Sequence, residues 1–254
     1  MEPSEAKKYL NGADGRVIVM EDGKPSYVVM DYDSYKTLQS GLPQANSGAK
    51  NIPDVRTFIE KYMDDGARIL QETSREDIER VIEILLQTWK EDRQVFIMGN
   101  GGSASTATHF AGDLAKTIND RPGARAIRAI ALVDNIPLVS ATTNDRGWDN
   151  LYVSQLETFY RPGDIGIGIS VHGGSGKDIA GQWSQNILKG LQYIKDRGGK
   201  TIGLSGFDGG PMAKMVDLPL VVRADSTALV ESFHIVLHHL IVFRLKQVLE
   251  AMPI

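Results

Sequence analysis

Five short runs in the second half of the chain are almost wholly apolar, and each is separated from the next by a stretch with helical periodicity. They read "QVFIMG" (94–99), "AIRAIAL" (126–132), "DIGIGIS" (164–170), "KTIGLSG" (200–206) and "LPLVVR" (218–223). Strands apolar on both faces, with helices between them, predict a parallel sheet covered on both sides. The expected fold is therefore α/β, a three-layer, doubly wound, five-stranded parallel sheet. Upstream, "DVRTFIEKYMDDGARILQ" and "SREDIERVIEILLQTWKED" carry apolar residues at three- and four-residue spacing and predict two amphipathic helices. A long last helix is expected from Thr227 to Glu250.

The first forty residues follow a different pattern. "GRVIVMEDGKPSYVVM" has two apolar runs around a turn at Gly23, a hairpin signal, and "DYDSYKTLQS" predicts a short helix capped near Asp31 or Asp33. "GLPQANSGAKN" (41–51) lacks periodicity and reads as a linker. The expected organisation is a hairpin-plus-helix appendage at 1–40, a linker at 41–51 and the α/β domain at 52–254.

A length of 254 residues suits one such domain with a small addition, and a net charge of −4 argues against a broad nucleic-acid or membrane-surface footprint. There are no cysteines, so any metal must be held by His, carboxylate or amide groups. "MEPSEAKKYLNGADG" has no apolar signal core, and no run approaches about 20 uninterrupted apolar residues. The expected location is the cytoplasm, with no membrane or nucleic-acid partner.

Two loops carry the candidate chemistry. Gly99-Asn100-Gly101-Gly102-Ser103 lies where the first strand gives way to a helix, and glycines with free N–H groups at a helix start suit an anion. The third glycine and the following acidic residue of a dinucleotide fingerprint are missing. "SVHGGSGKD" (170–178) repeats the arrangement after a later strand, with Ser170, His172 and Ser175 adding polar groups. One such loop reads equally as a tight turn. Two in one sheet, both bearing hydroxyls, indicate a phosphorylated small molecule. Lys177 reads as a solvated helix-start lysine, and Trp89, Trp148 and Trp183 as packing residues.

His109 and Asp113 are four apart, on one face of the helix that starts at the first loop. Glu231, His234, His238 and His239 fall on the last helix. From the residues alone this cluster is suggestive only, since buried helical histidines are common.

"GNGGSA", Asn144-Asp145, the turn from Ser170, "GLSGFDGGPMA" and "ADSTALVESFHIVLHHLI" occur in the order and spacing of SIS (sugar isomerase) domains. Among these the chain most resembles the sedoheptulose 7-phosphate isomerases, or phosphoheptose isomerases, from Pro53 to its end. The resemblance implies aldose–ketose isomerisation through an enediol, converting sedoheptulose 7-phosphate to D-glycero-D-manno-heptose 7-phosphate. It implies substrate contacts from Asn100, Gly101, Gly102, Ser103, Asn144, Asp145, Ser170, Val171, His172, Ser175 and Glu231. It further implies a zinc ion held by His109, Asp113, Glu231 and His239, Asp113 as base, His239 as acid, and a homotetramer with its sites near an interface. His234 matches a family histidine of no assigned role, and His238 a position usually apolar.

Three departures from the family pattern stand out. Asp113 replaces Glu, Glu231 replaces Gln, and Val171-His172 replaces Thr-Ser. Eight helical residues rise about 12 Å, which makes a metal shared by Glu231 and His239 geometrically demanding. Residues 1–40 resemble the N-terminal unit of prevent-host-death antitoxins over a short, generic pattern. With the altered carboxylate, that unit raises a second reading, a non-catalytic SIS sugar-phosphate regulator or replication-initiation partner.

Overall fold

The computed structural model describes residues 16–21, 24–41, 52–119, 121–174 and 183–252. The chain separates into two compact units, 1–59 and 60–254.

In the first unit, β1 (Arg16–Glu21) and β2 (Lys24–Met30) pair antiparallel and lead to helix α1 (Tyr32–Gly41). Asp31 caps this helix, its carboxylate accepting from the backbone N–H of Ser34 at 2.7 Å. Gly41 ends α1 instead of opening the linker, whose other residues, 42–51, lie outside the described ones. The boundary between the units falls within helix α2 (Val55–Glu72), beyond the expected start of the domain at 52.

In the second unit α3 (Arg75–Lys90), capped by Ser74, precedes a sheet of order β4-β3-β5-β6-β7, parallel throughout. Its strands are β3 (Gln94–Gly99), β4 (Arg128–Ala131), β5 (Ile165–Ser170), β6 (Thr201–Gly206) and β7 (Leu218–Val222). Four of the five match the apolar runs to within a residue at either end. The edge strand β4 is shorter than its run, and Ile130 on it is exposed.

Alternate residues of β3 point into two cores. Val95 and Ile97 pack with Phe110 of helix α4 (Gly102–Gly112) and with Leu237 and Ile241 of the last helix, α9 (Thr227–Glu250). Phe96 and Met98 pack with Tyr152 and Leu156 of α6 (Leu151–Phe159) and Leu191 of α7 (Gln185–Lys195). Helices α5 (Ile136–Arg146) and α8 (Gly210–Met215) complete the layers. By length and composition α9 is apolar enough to cross a membrane, but half of that stretch is buried within the chain's own core.

Because all five strands are parallel, every helix that follows a strand starts from the same sheet edge. Strand order reverses between β3 and β5, and ligands of such sheets bind at the strand ends flanking that point. The opposite edge is held by Asp164, 2% exposed. Its carboxylate accepts from the N–H of Gln94, at the start of β3, and from the N–H of Arg161, each at 2.8 Å. Asp164→Ala leaves both donors unpaired and is expected to cost about 2–3 kcal/mol of unfolding free energy, read from urea denaturation.

Candidate active site

The loop after β3 is shaped by Gly101, whose φ of 55° lies in the left-handed region. Asn100 beside it is anchored. Its side-chain amide exchanges two 2.9 Å hydrogen bonds with that of Asn186, which is fully buried, and the Tyr152 hydroxyl lies 3.1 Å from its Oδ1. Asn186 and Tyr152 were not singled out by sequence reasoning, since neither belongs to a loop motif. At Gly102 the Glu231 carboxylate packs directly on the backbone, where a Cβ would collide with it. Any side chain at 102 would displace Glu231.

Beyond this loop lies a cavity of about 210 Å³ lined by Asn100, Ser103, Ile169, Ser170, Val171, His172, Trp183, Ser184 and Glu231. It sits at the carboxyl ends of β3 and β5, the reversal point of the sheet. Ser170 Oγ is 3.2 Å from Ser184 Oγ and 3.4 Å from the N–H of Gly174. Ser184 has a φ of 56°, an uncommon conformation for a side-chain-bearing residue, and holds its hydroxyl on the cavity wall. The His172 ring lies 4.4 Å from that of Phe207 and 5.4 Å from that of Trp183.

A second group of polar side chains forms two turns further along α4. Asp113 opens a π-helical turn, Asp113–Thr117, that continues the helix. Its Oδ2 lies 3.6 Å from His109 Nε2, 3.4 Å from His238 Nε2 and 3.9 Å from His239 Nε2, and its Oδ1 accepts from Thr117 Oγ1 at 2.9 Å. One ligand-type atom from each of these four residues lies within 4.8 Å of the others. A tetrahedral metal with bonds near 2.0–2.2 Å needs ligand atoms about 3.4 Å apart, so small side-chain movements would close the set on an ion. His109 and His239 reach solvent, whereas His238 is fully buried. Neither ring nitrogen of His238 has a hydrogen-bond partner. Burial, then the neighbouring imidazoles of His239 and His109, pushes its pKa down to about 4, against the opposing pull of the Asp113 carboxylate. These residues fit a divalent metal.

The sequence-predicted residues therefore fall into two places. His109, Asp113 and His239 come together as expected, joined by His238 in place of Glu231. Glu231 lines the cavity with Asn100, Ser103, Ser170, Val171 and His172. Gly101 and Gly102 shape its rim, and Ser175 and Lys177 lie outside the described residues. Asn144 and Asp145 are not brought to the cavity. They end α5 on the exposed surface, with Asn144 Nδ2 donating to Asp145 Oδ1 at 2.8 Å. Trp183, expected to pack, is 42% exposed and walls the cavity, and Trp148 is exposed too. Trp89 does pack, its indole N–H donating to Arg125 O at 2.8 Å.

Comparison with known proteins places the chain in a family. The SIS domain family matches residues 61–206. The phosphoheptose isomerase of Trichlorobacter lovleyi is 34% identical over 191 residues, 74% of this chain and 91% of that protein. The lincomycin biosynthesis protein LmbN of Streptomyces lincolnensis is 34% identical over 187 residues, 72% of this chain and 66% of that protein. Among solved structures, a phosphoheptose isomerase from Neisseria gonorrhoeae superposes with a TM-score of 0.66 at 27% identity, over 76% of this chain and 98% of that one.

His234, also on α9, is 1% exposed, and neither of its ring nitrogens has a hydrogen-bond partner. Burial lowers its pKa from 6.5 to about 4. The folded state thus favours the neutral ring, whereas the unfolded chain takes up a proton below pH 6.5. Its contribution to stability is full above 6.5 and is lost as pH falls toward 4. Thermal melts of the metal-free protein should fall over that window, and those of His234→Leu should fall less.

Proposed function

The chain belongs to the SIS-domain family of phosphoheptose isomerases and is a phosphosugar isomerase; we propose that its substrate is sedoheptulose 7-phosphate. One observation carries the choice. The glycine–hydroxyl cavity at Gly102 and the imidazole–carboxylate cluster at His109 lie on the same pair of helices, seven residues apart. Seven helical residues rise about 10 Å, the reach of an extended seven-carbon sugar phosphate from C1 to phosphorus.

In this reading the phosphate rests at the glycine loops, gripped by the N–H groups at the start of α4 and by Ser103, Ser170 and Ser184. C1 and C2 then lie over the cluster. Asp113 takes the proton from one carbon and returns it to the other. Without a metal, His239, half open to solvent and 3.9 Å from Asp113, hands protons to and from the sugar oxygens, and with an ion bound it would be a ligand instead. His109 flanks the same carboxylate from α4. A zinc ion on the cluster would polarise the carbonyl and stabilise the enediolate. The hydrogen bond from Thr117 holds Asp113 Oδ1, leaving Oδ2 as the basic oxygen.

We also propose a homotetramer, as the family resemblance implies; Val236, Leu240 and Phe243 on α9, each more than two-fifths exposed, supply an apolar face for association. Light scattering should give four times the chain mass, and Leu240→Asp should lower it. A monomeric parent protein would refute the assembly.

The substrate is tested by proton NMR of sedoheptulose 7-phosphate in D₂O. Turnover should bring new anomeric signals and deuterium at the exchanging carbon. Asp113→Asn should slow that exchange by at least about 100-fold while phosphosugar binding persists. No exchange with the parent protein, despite line broadening that reports binding, would reject this substrate.

A further inference from the structure

We propose that His238 is a metal ligand, giving the chain a third imidazole, so that His109, His238 and His239 can hold a divalent ion while Asp113 is released to act on the sugar. The use made of Asp113 rests on the isomerase reading above. The ligand assignment rests on geometry alone.

Four observations carry it. His238 is fully buried, yet it packs two polar ring nitrogens where a leucine would fill the space without leaving them unpaired. Its ring centroid lies 4.6 Å from that of His109 and 4.1 Å from that of His239, so the three imidazoles face one small volume. Its Nε2 makes the shortest of the three imidazole contacts to Asp113, at 3.4 Å. Glu231, the other candidate for a fourth ligand, is seven residues earlier on α9, about 10 Å along the axis, with its carboxylate laid on Gly102.

The consequence for the chemistry is specific. A carboxylate bound to a metal is a poorer base, so a site made of His109, Asp113 and His239 alone would set ligation against catalysis at Asp113. Three imidazoles remove that conflict, since three protein ligands and an open position suffice for a catalytic ion. His109 and His239 belong to the sequence pattern shared with the family, whereas His238 occupies a position usually apolar there. The third imidazole accompanies the shortened carboxylate, which as Asp reaches less far than Glu.

The test is metal binding, independent of turnover. Metal-free full-length protein would be titrated with Co²⁺, followed by its visible d–d bands, with Zn²⁺ in competition. The parent should bind one ion per chain. His238→Leu and His238→Gln should each weaken binding by at least about 100-fold, more than loss of an outer hydrogen-bond partner would. Asp113→Asn should keep one ion per chain with less than about a tenfold change, and Glu231→Gln should match the parent. Circular dichroism of the metal-free variants checks that each is folded. Parent-like binding by the folded His238 variants would overturn the proposal. So would loss of the ion in Asp113→Asn or Glu231→Gln, or no binding by the parent. Isomerisation without any metal, in that last case, would leave the functional reading standing while the ligand assignment falls.

Discussion

Everything at the candidate site depends on two helices being delivered from the same edge of one parallel sheet. α4 follows β3 and α9 follows β7, so both run back across the sheet in the same direction. Their contacts therefore stay in step. Gly102 meets Glu231, and seven residues later His109 meets His238. Close approach is possible because α4 is built from small residues, with Ala107 and Ala111 buried around Phe110. An antiparallel pair would bring Gly102 beside the far end of α9 and scatter the three histidines and Asp113. The single register creates both the cavity at the helix starts and the cluster two turns below it.

The layers were legible in the sequence because strands buried on both faces leave little else for apolar runs to do. The span of α9 could be read from its apolar content and its uninterrupted length. Asp31 marked another helix start by the usual capping chemistry. The site was only partly legible. The i,i+4 spacing brought His109 and Asp113 together correctly, but the π turn that opens at Asp113 has no sequence signature. One oxygen of that carboxylate meets two consecutive histidines, His238 and His239, which on a helix diverge by about 100°.

Glu231 lines the cavity and not the cluster for a related reason. A family resemblance supplies which residues share a site, whereas a helix supplies how far apart they are. Eight residues of helix separate Glu231 from His239, too far for one ion within this chain. Asn144 and Asp145 illustrate the same limit from the other side. Their motif matches, but Gly147 stops α5 just beyond them and the pair satisfies its own hydrogen bonding on the surface. Neither outcome follows from residue type: one follows from distance along a helix, the other from where a helix ends.

The departures from the family pattern fall at both ends of the site. Glu231, Val171 and His172 line one cavity, the one assigned to the phosphate, while Asp113 and His238 join His109 and His239 in the cluster. A carboxylate beside the start of α4 is favoured by the helix dipole, by about 0.3–1 kcal/mol, and so competes with a phosphate for the same N–H groups. An imidazole in the same cavity, His172, opposes that negative charge when protonated. Loss of a hydroxyl at Val171 removes one donor to phosphate without altering the backbone turn. In the proposed reading the balance of charge is redrawn at the end that would grip the phosphate, and the cluster that would move the proton carries a shorter carboxylate and an added imidazole beside it.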